Sequence, residues 1–311
     1  MKTNRQPYDL IGDIHGYADV LETLLDKLGY APCGSAWRHP EGRRVIFLGD
    51  YIDRGPKIRK TLQIVRGMVE AGDALAIMGN HEFNALAYQT PDGRGGWCRA
   101  HSEEKTHQHE ATLSQIVHPA PEEWLGWLDW FRTLPLFLEL PGLRAVHASW
   151  DNAAAELARG LGGLDESLVI GMVQKGSDLH RMKELLLNGR EIELPEGFYF
   201  SDKSGFKRDK IRVRWWLDLK GATYRQAVFP DSETVPHLAI PEELIADHKP
   251  YPAEERPVFV GHYWMPPETP KAPVARNVVC LDYSVAKGGP MVAYRWDGES
   301  EISAEKFVTT K

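Results

Sequence analysis

The stretch YDLIGDIHG at residues 8–16 decides the architecture. Tyr8 to Ile11 is a short apolar run that stops at Gly12, and two polar side chains, Asp13 and His15, follow before a second glycine, Gly16. A run of that length closed by a turn signal reads as a buried strand. The same grammar returns twice, in RVIFLGDYIDRG at 44–55 and in ALAIMGNHE at 74–82. Val20 to Leu28 and Ile58 to Val69 lie between these runs and repeat their apolar positions at helical spacing. Strand, turn and helix in alternation predict βαβ units and an α/β core. In open α/β sheets ligand sites gather beyond the carboxyl ends of the strands, which is where these polar residues stand.

Farther along, Pro91 to His118 is polar and reads as a surface excursion, with His101, His107 and His109 as loop residues rather than a metal site. Trp124 to Leu134 reads as a helix, and Leu136–Leu140 with Leu143–His147 as a hairpin around Pro141 and Gly142. Residues 151–190 look helical, and 191–250 mix short strands, turns and prolines. Strand character returns at Pro257–Gly261, Val278–Asp282 and Met291–Trp296. The expectation is a single domain over residues 1–311, with an insertion at about 151–250 that forms a lid or cap.

Composition narrows the function. The formal net charge of -7 argues against a general nucleic-acid or membrane-surface binder, because both need a basic face. Cys33, Cys98 and Cys280 are odd in number and far apart, so neither a disulfide framework nor a thiolate zinc site is expected. No apolar stretch approaches the roughly 20 residues of a membrane span, and MKTNRQPYDLIGDIHG has no signal-peptide core. A cytoplasmic location is the expectation.

Six side chains carry the chemistry. Asp13 and His15, two apart in a glycine-flanked turn, can address one cation. Asp50 follows the second strand and has two oxygens with which to bridge two cations. Asn80 offers an amide oxygen after the third, and His147 and His262 each follow a later strand. Such a mixed N/O set suits Mn, Fe, Zn, Co or Ni. Two ions about 3.5–4 Å apart can clamp the attacking and leaving oxygens of a displacement and acidify a bridging water.

GDIHG, GDYIDRG and GNHE, in this order, resemble the signature of the calcineurin-like metallophosphoesterase superfamily. The likeness is strongest to its phosphoprotein-phosphatase branch, which holds Ser/Thr protein phosphatases and bacterial symmetrical diadenosine tetraphosphate hydrolases. It covers about residues 8–150 and 257–297. The resemblance implies a β-sandwich of mixed sheets flanked by helices, and two divalent transition-metal ions with Mn the first choice. Asp13 and His15 would hold one ion, Asp50 would bridge, and Asn80, His147 and His262 would hold the other. Arg54 would grip the substrate phosphate through its forked guanidinium. His81 would be the general acid, oriented by Asp53. Further phosphate-binding arginines are expected from residues 208–214. Arg212 and Arg214 share one face if that segment is a strand, and Arg214 is the favoured one.

Gly261-His262 is followed by Tyr263-Trp264 instead of a second histidine, which fits this branch. Asp53 and Glu82 look phosphatase-like, whereas the C-terminal third looks like the dinucleoside polyphosphate hydrolases. The leading expectation is therefore hydrolysis of phosphate monoesters, on a phosphoprotein or a small ester or nucleotide, by a metal-bridging hydroxide. Symmetrical dinucleoside polyphosphate hydrolysis is the alternative. A non-catalytic binding protein and a nucleic-acid end-processing enzyme are the remaining classes.

Overall fold

The computed structural model describes residues 6–34, 36–201 and 207–311, with the side chains of Phe200 and Ser201 excepted. Residues 1–5 of the N-terminal stretch and residues 202–206 of the expected insertion lie outside that range. Nine strands form the two main sheets: β1 Tyr8–Ile11, β2 Arg44–Phe47, β3 Ala74–Ala76, β4 Phe137–Leu140, β5 Leu143–Val146, β6 Val258–Val260, β7 Val278–Cys280, β8 Val292–Trp296 and β9 Phe307–Thr309. The first sheet has the order β9-β8-β1-β2-β3 and the second β7-β6-β5-β4. β1, β2 and β3 run parallel, as do β5, β6 and β7, while β8, β9 and β4 pair antiparallel. Both sheets are therefore mixed, and helices flank them.

The pattern that made the strands legible also explains their place. Leu10, Ile11, Val45, Ile46, Phe47, Val258, Phe259 and Val260 are all fully buried, as strands covered on both faces require. The Phe259 and Tyr294 rings meet at 5.1 Å, one from each sheet. A single core runs through both sheets and takes in Trp124, Trp127, Leu128 and Phe131 of the helix Pro121–Thr133. Truncating one such core side chain to alanine costs about 2–5 kcal/mol, which ties the sheet positions to one another.

Two regions depart from the expectation. The excursion 91–118 is half helical, with Glu103–Thr112 an α-helix running on into a wider turn at Leu113–Val117. Ser102 caps it by accepting the Lys105 N–H, and His109 and Thr112 are buried on its inner side. The low apolar content hid this helix, because the groups it buries are polar. The span 151–250 divides in two. Helices Asn152–Arg159, Glu166–Val173 and Asp178–Lys183 pack into the main core through Ala155, Val169, Met172 and Met182. Farther on, Ile192, Ile211, Val213, Tyr224 and Val228 belong to a smaller apolar cluster, while Trp215, Trp216 and Phe229 pack into the main core. Among the described residues, no helix is long and apolar enough to cross a membrane.

Candidate metal centre

Because the inner strands of each sheet run the same way, their carboxyl ends share one rim. Asp13 leaves β1, Asp50 leaves β2, Asn80 opens the helix after β3, His147 leaves β5 and His262 leaves β6. Turning out of a strand this sharply needs unusual backbone. Among the described residues, non-glycine positive φ angles occur at His15, Asp50, Asp53, Arg54, His262, Trp264 and Ser284, all near this rim. Each costs about 1–2 kcal/mol, and such outliers persist only where the surroundings hold them.

Two buried carboxylates do the holding. Glu82 Oε1 accepts the N–H groups of Tyr51 at 2.8 Å and Ile52 at 3.3 Å, and Oε2 those of Asp50 at 2.9 Å and Gly79 at 3.0 Å. Burial and the nearby Asp50 charge still push the Glu82 carboxyl up to about 7. Asp282 accepts the N–H groups of Trp264 at 2.6 Å and Ser284 at 2.9 Å. Asp282 was missed in the sequence, where it reads as the end of a strand. A polar residue directly after a buried strand on the same rim was the available signal.

The three histidines are held alike. His15 Nδ1 lies 2.9 Å from the Ile52 carbonyl, His147 Nδ1 2.7 Å from that of Leu48, and His262 Nε2 3.0 Å from that of Asn188. A carbonyl only accepts, so these nitrogens carry the protons, and in the neutral ring the other nitrogen of each histidine is bare. The bare nitrogens converge on acceptors. His147 Nε2 and His262 Nδ1 both lie 2.9 Å from Asn80 Oδ1, and His147 Nε2 is 3.4 Å from Asp50 Oδ1. His15 Nε2 is 3.6 Å from Asp50 Oδ2 and 3.9 Å from Asp13 Oδ2, buried and without a hydrogen-bond partner. Lone pairs facing one another without a proton between them call for a cation. Histidines that donate their second nitrogen to a carbonyl are set up as metal ligands.

The electrostatics describe the same hole. Burial, with Asp282 and Asp50 close by, holds the Asp13 carboxyl well above its usual range. Burial also penalises charge on Asp50, but His147 and His81 outweigh it and hold that carboxyl well below. Burial and the neighbouring His81 lower His15 to about 4, so its ring is neutral at pH 7. Burial, Arg212 and His147 hold His262 well below. His147 is raised, since the Asp50 charge overcomes its burial. By ligand-atom proximity, His15, Asp50 and His81 form one group and Asp50, His147 and His262 another, with Asp50 in both and its two oxygens facing different histidines. The donor set fits two divalent ions.

His81 differs from the others. Its Nδ1 lies 2.5 Å from Asp53 Oδ2, and its Nε2 is 3.9 Å from Asp50 Oδ2. Against its burial, the Asp50 charge and the Asp53 hydrogen bond raise its pKa. Arg54 is exposed beside the site, with its guanidinium carbon 5.3 Å from the Trp264 ring centre, and that ring is 5.9 Å from His15. The two arginines of 208–214 part company. The strand Lys210–Arg212 ends before Arg214, whose Nε donates to the Val228 carbonyl at 3.2 Å and whose guanidinium pairs with Asp231. Arg212 is 3.7 Å from Glu191 and near enough to His262 to lower its pKa. The shared face expected for the pair fails because the strand stops between them.

Residues 7–156 match the calcineurin-like phosphoesterase family. The asymmetrical bis(5'-nucleosyl)-tetraphosphatase PrpE of Halalkalibacterium halodurans is 34% identical over 138 residues, 43% of this chain and 52% of that protein. PrpE of Geobacillus sp. is 42% identical over 144 residues, 45% of this chain and 55% of that protein. The symmetrical bis(5'-nucleosyl)-tetraphosphatase of Aromatoleum aromaticum is 33% identical over 168 residues, 52% of this chain and 51% of that protein. The chain thus spans about half the length of these curated relatives.

Proposed function

We propose that this protein is a dinuclear-metal phosphoesterase that hydrolyses phosphate monoesters. The observation that carries this reading is the set of bare nitrogens of His15, His147 and His262, turned onto Asp13, Asp50 and Asn80 with no proton to share. Asp13 and His15 would hold one ion, Asp50 both, and Asn80, His147 and His262 the other. Manganese is the first choice, with iron, zinc, cobalt or nickel compatible. When bound, the pair supplies an activated water and neutralises charge on the phosphoryl oxygens.

The chain's own residues do the rest. Arg54 stands beside the pocket, with a planar fork that matches two phosphate oxygens. Arg212 is the better-placed second cation. His81 donates a proton from Nε2 to the leaving oxygen, while Asp53 fixes its tautomer through Nδ1. Asn188 and Arg212 reach the centre from the insertion at about 151–250, which supports that insertion as a lid or cap on the substrate side. The free thiols of Cys33, Cys98 and Cys280 accord with a cytoplasmic setting.

A second reading, hydrolysis of dinucleoside polyphosphates, is favoured by the relatives' names. A panel of phosphopeptides, nucleotide monophosphates and diadenosine tetraphosphate at fixed Mn separates the two. Asp50→Asn is expected to lose activity and at least one ion per chain by elemental analysis, and full activity would refute the bridging role. His81→Ala should lower kcat with metal content kept, and loss of metal would make His81 a ligand instead.

A further inference from the structure

Asp53 meets more than His81. On its other oxygen, Oδ1, two groups of the helix Glu103–Thr112 converge: His109 Nδ1 at 2.8 Å and the Thr112 hydroxyl at 2.6 Å. The Asp53 N–H also donates to that hydroxyl, at 3.1 Å. An ionised carboxylate only accepts, so His109 Nδ1 carries the proton and donates it. His109 is 5% exposed, and its ring sits between Tyr88 at 5.4 Å and Trp124 at 5.8 Å. Tyr88 is itself stacked on His101 at 3.8 Å and bonded to Thr106 at 3.0 Å. The imidazole is thus fixed from both sides, and among the described residues it hydrogen-bonds to Asp53.

A carboxylate held by His81 alone would turn about its Cβ–Cγ bond and carry the imidazole with it. The backbone does not prevent this, because Asp53 sits in a left-handed turn at φ 64. Donors fixed on the opposite oxygen do prevent it. We propose that His109 is a positioning residue for the Asp53–His81 pair. Its bond to Oδ1, with that of Thr112, sets the carboxylate plane so that Oδ2 meets His81 Nδ1 and Nε2 points at the leaving oxygen. The proposal rests on the reading of His81 as the proton donor. It gives the segment 91–118 a part in the geometry of proton transfer, where displacements on the order of 1 Å cost about 100-fold in rate.

The leaving group separates positioning from mere support. p-Nitrophenolate departs with little need of a proton, whereas phenolate needs one. With the full chain loaded with Mn, His109→Ala should lower kcat for phenyl phosphate about tenfold more than for p-nitrophenyl phosphate, part of the hundredfold or more that a general acid supplies. Mn content and KM should stay within about twofold, and His109→Asn, whose amide can donate near the Nδ1 position, should recover most of the loss. His81→Ala should show a larger asymmetry of the same kind, and adding His109→Ala to it should change nothing further. Equal losses on both esters, or loss of Mn, in His109→Ala would overturn the proposal and leave the His81 reading standing. An absent asymmetry in His81→Ala would overturn both. Proton NMR gives a readout that needs no turnover. The downfield His81 Nδ1–H resonance should broaden or move in His109→Ala and return in His109→Asn, and an unchanged resonance in His109→Ala counts against the inference.

Discussion

Replacing Gly261 by alanine tests the centre with one methyl group. Gly261 lies between β6 and His262, and its φ is not positive, so the change adds volume without backbone strain. The new Cβ would stand 2.1 Å from Asp13 Oδ1, whereas real Cβ atoms essentially never come within 3.0 Å of another heavy atom. Asp13 must retreat by about 1 Å. That oxygen also accepts the His262 N–H at 3.0 Å, so both sides of the centre feel the shift. Losing a charged hydrogen bond costs about 1.5–3 kcal/mol. A ligand displaced this far should weaken the Asp13–His15 ion about 10- to 100-fold. Equilibrium dialysis against Mn with elemental analysis measures the affinity, and steady-state kinetics should show a comparable fall in kcat/KM. Gly126→Ala is the matched control. It lies in the helix Pro121–Thr133 with open space around its Cβ position, so it should leave Mn binding unchanged and stabilise the fold by about 0.5–1 kcal/mol. Gly261→Ala that binds two Mn with unaltered affinity would refute the assignment of Asp13 to the centre.

Two further outcomes follow from buried groups. Glu82→Gln turns an amide towards one of the two N–H pairs that its oxygens now accept, which at about 1–3 kcal/mol for each orphaned donor is roughly 2–6 kcal/mol, less the relief of a buried charge. Differential scanning calorimetry of the metal-free protein should show a clearly lower Tm, and an unchanged one would remove Glu82 from its anchoring role. His15 titrates near 4 when folded against 6.5 when free, so between these values the unfolded chain binds the extra proton and stability rises with pH. His15→Gln abolishes that slope. The metal-free variant should gain on the wild type as pH falls from about 6.5 to 4, by up to about 3 kcal/mol in denaturant melts. A constant difference across that window would contradict the buried neutral state of His15.

The amino-acid sequence by itself determined the alternation of strands and helices and the residue types waiting at the strand ends. Those are local facts: an apolar run, a glycine, then a carboxylate, amide or imidazole, with positions fixed by the strand just before them. Nothing local announced that Glu82 would receive four backbone N–H groups or that Asp282 would hold Trp264, because a carboxylate's partners lie wherever the fold brings donors. His109 is the sharpest case. It stands 56 residues from Asp53 in a polar segment that reads as loop, and its role exists only once the helix Glu103–Thr112 is laid against the turn after β2. Of the two arginines near residue 213 the sequence favoured Arg214 for the site, and tertiary structure instead sent Arg212 towards His262 and Arg214 to Asp231. Period and composition act through neighbours along the chain. Which charge meets which is settled by packing between distant segments, and that is where the chemistry of this rim was decided.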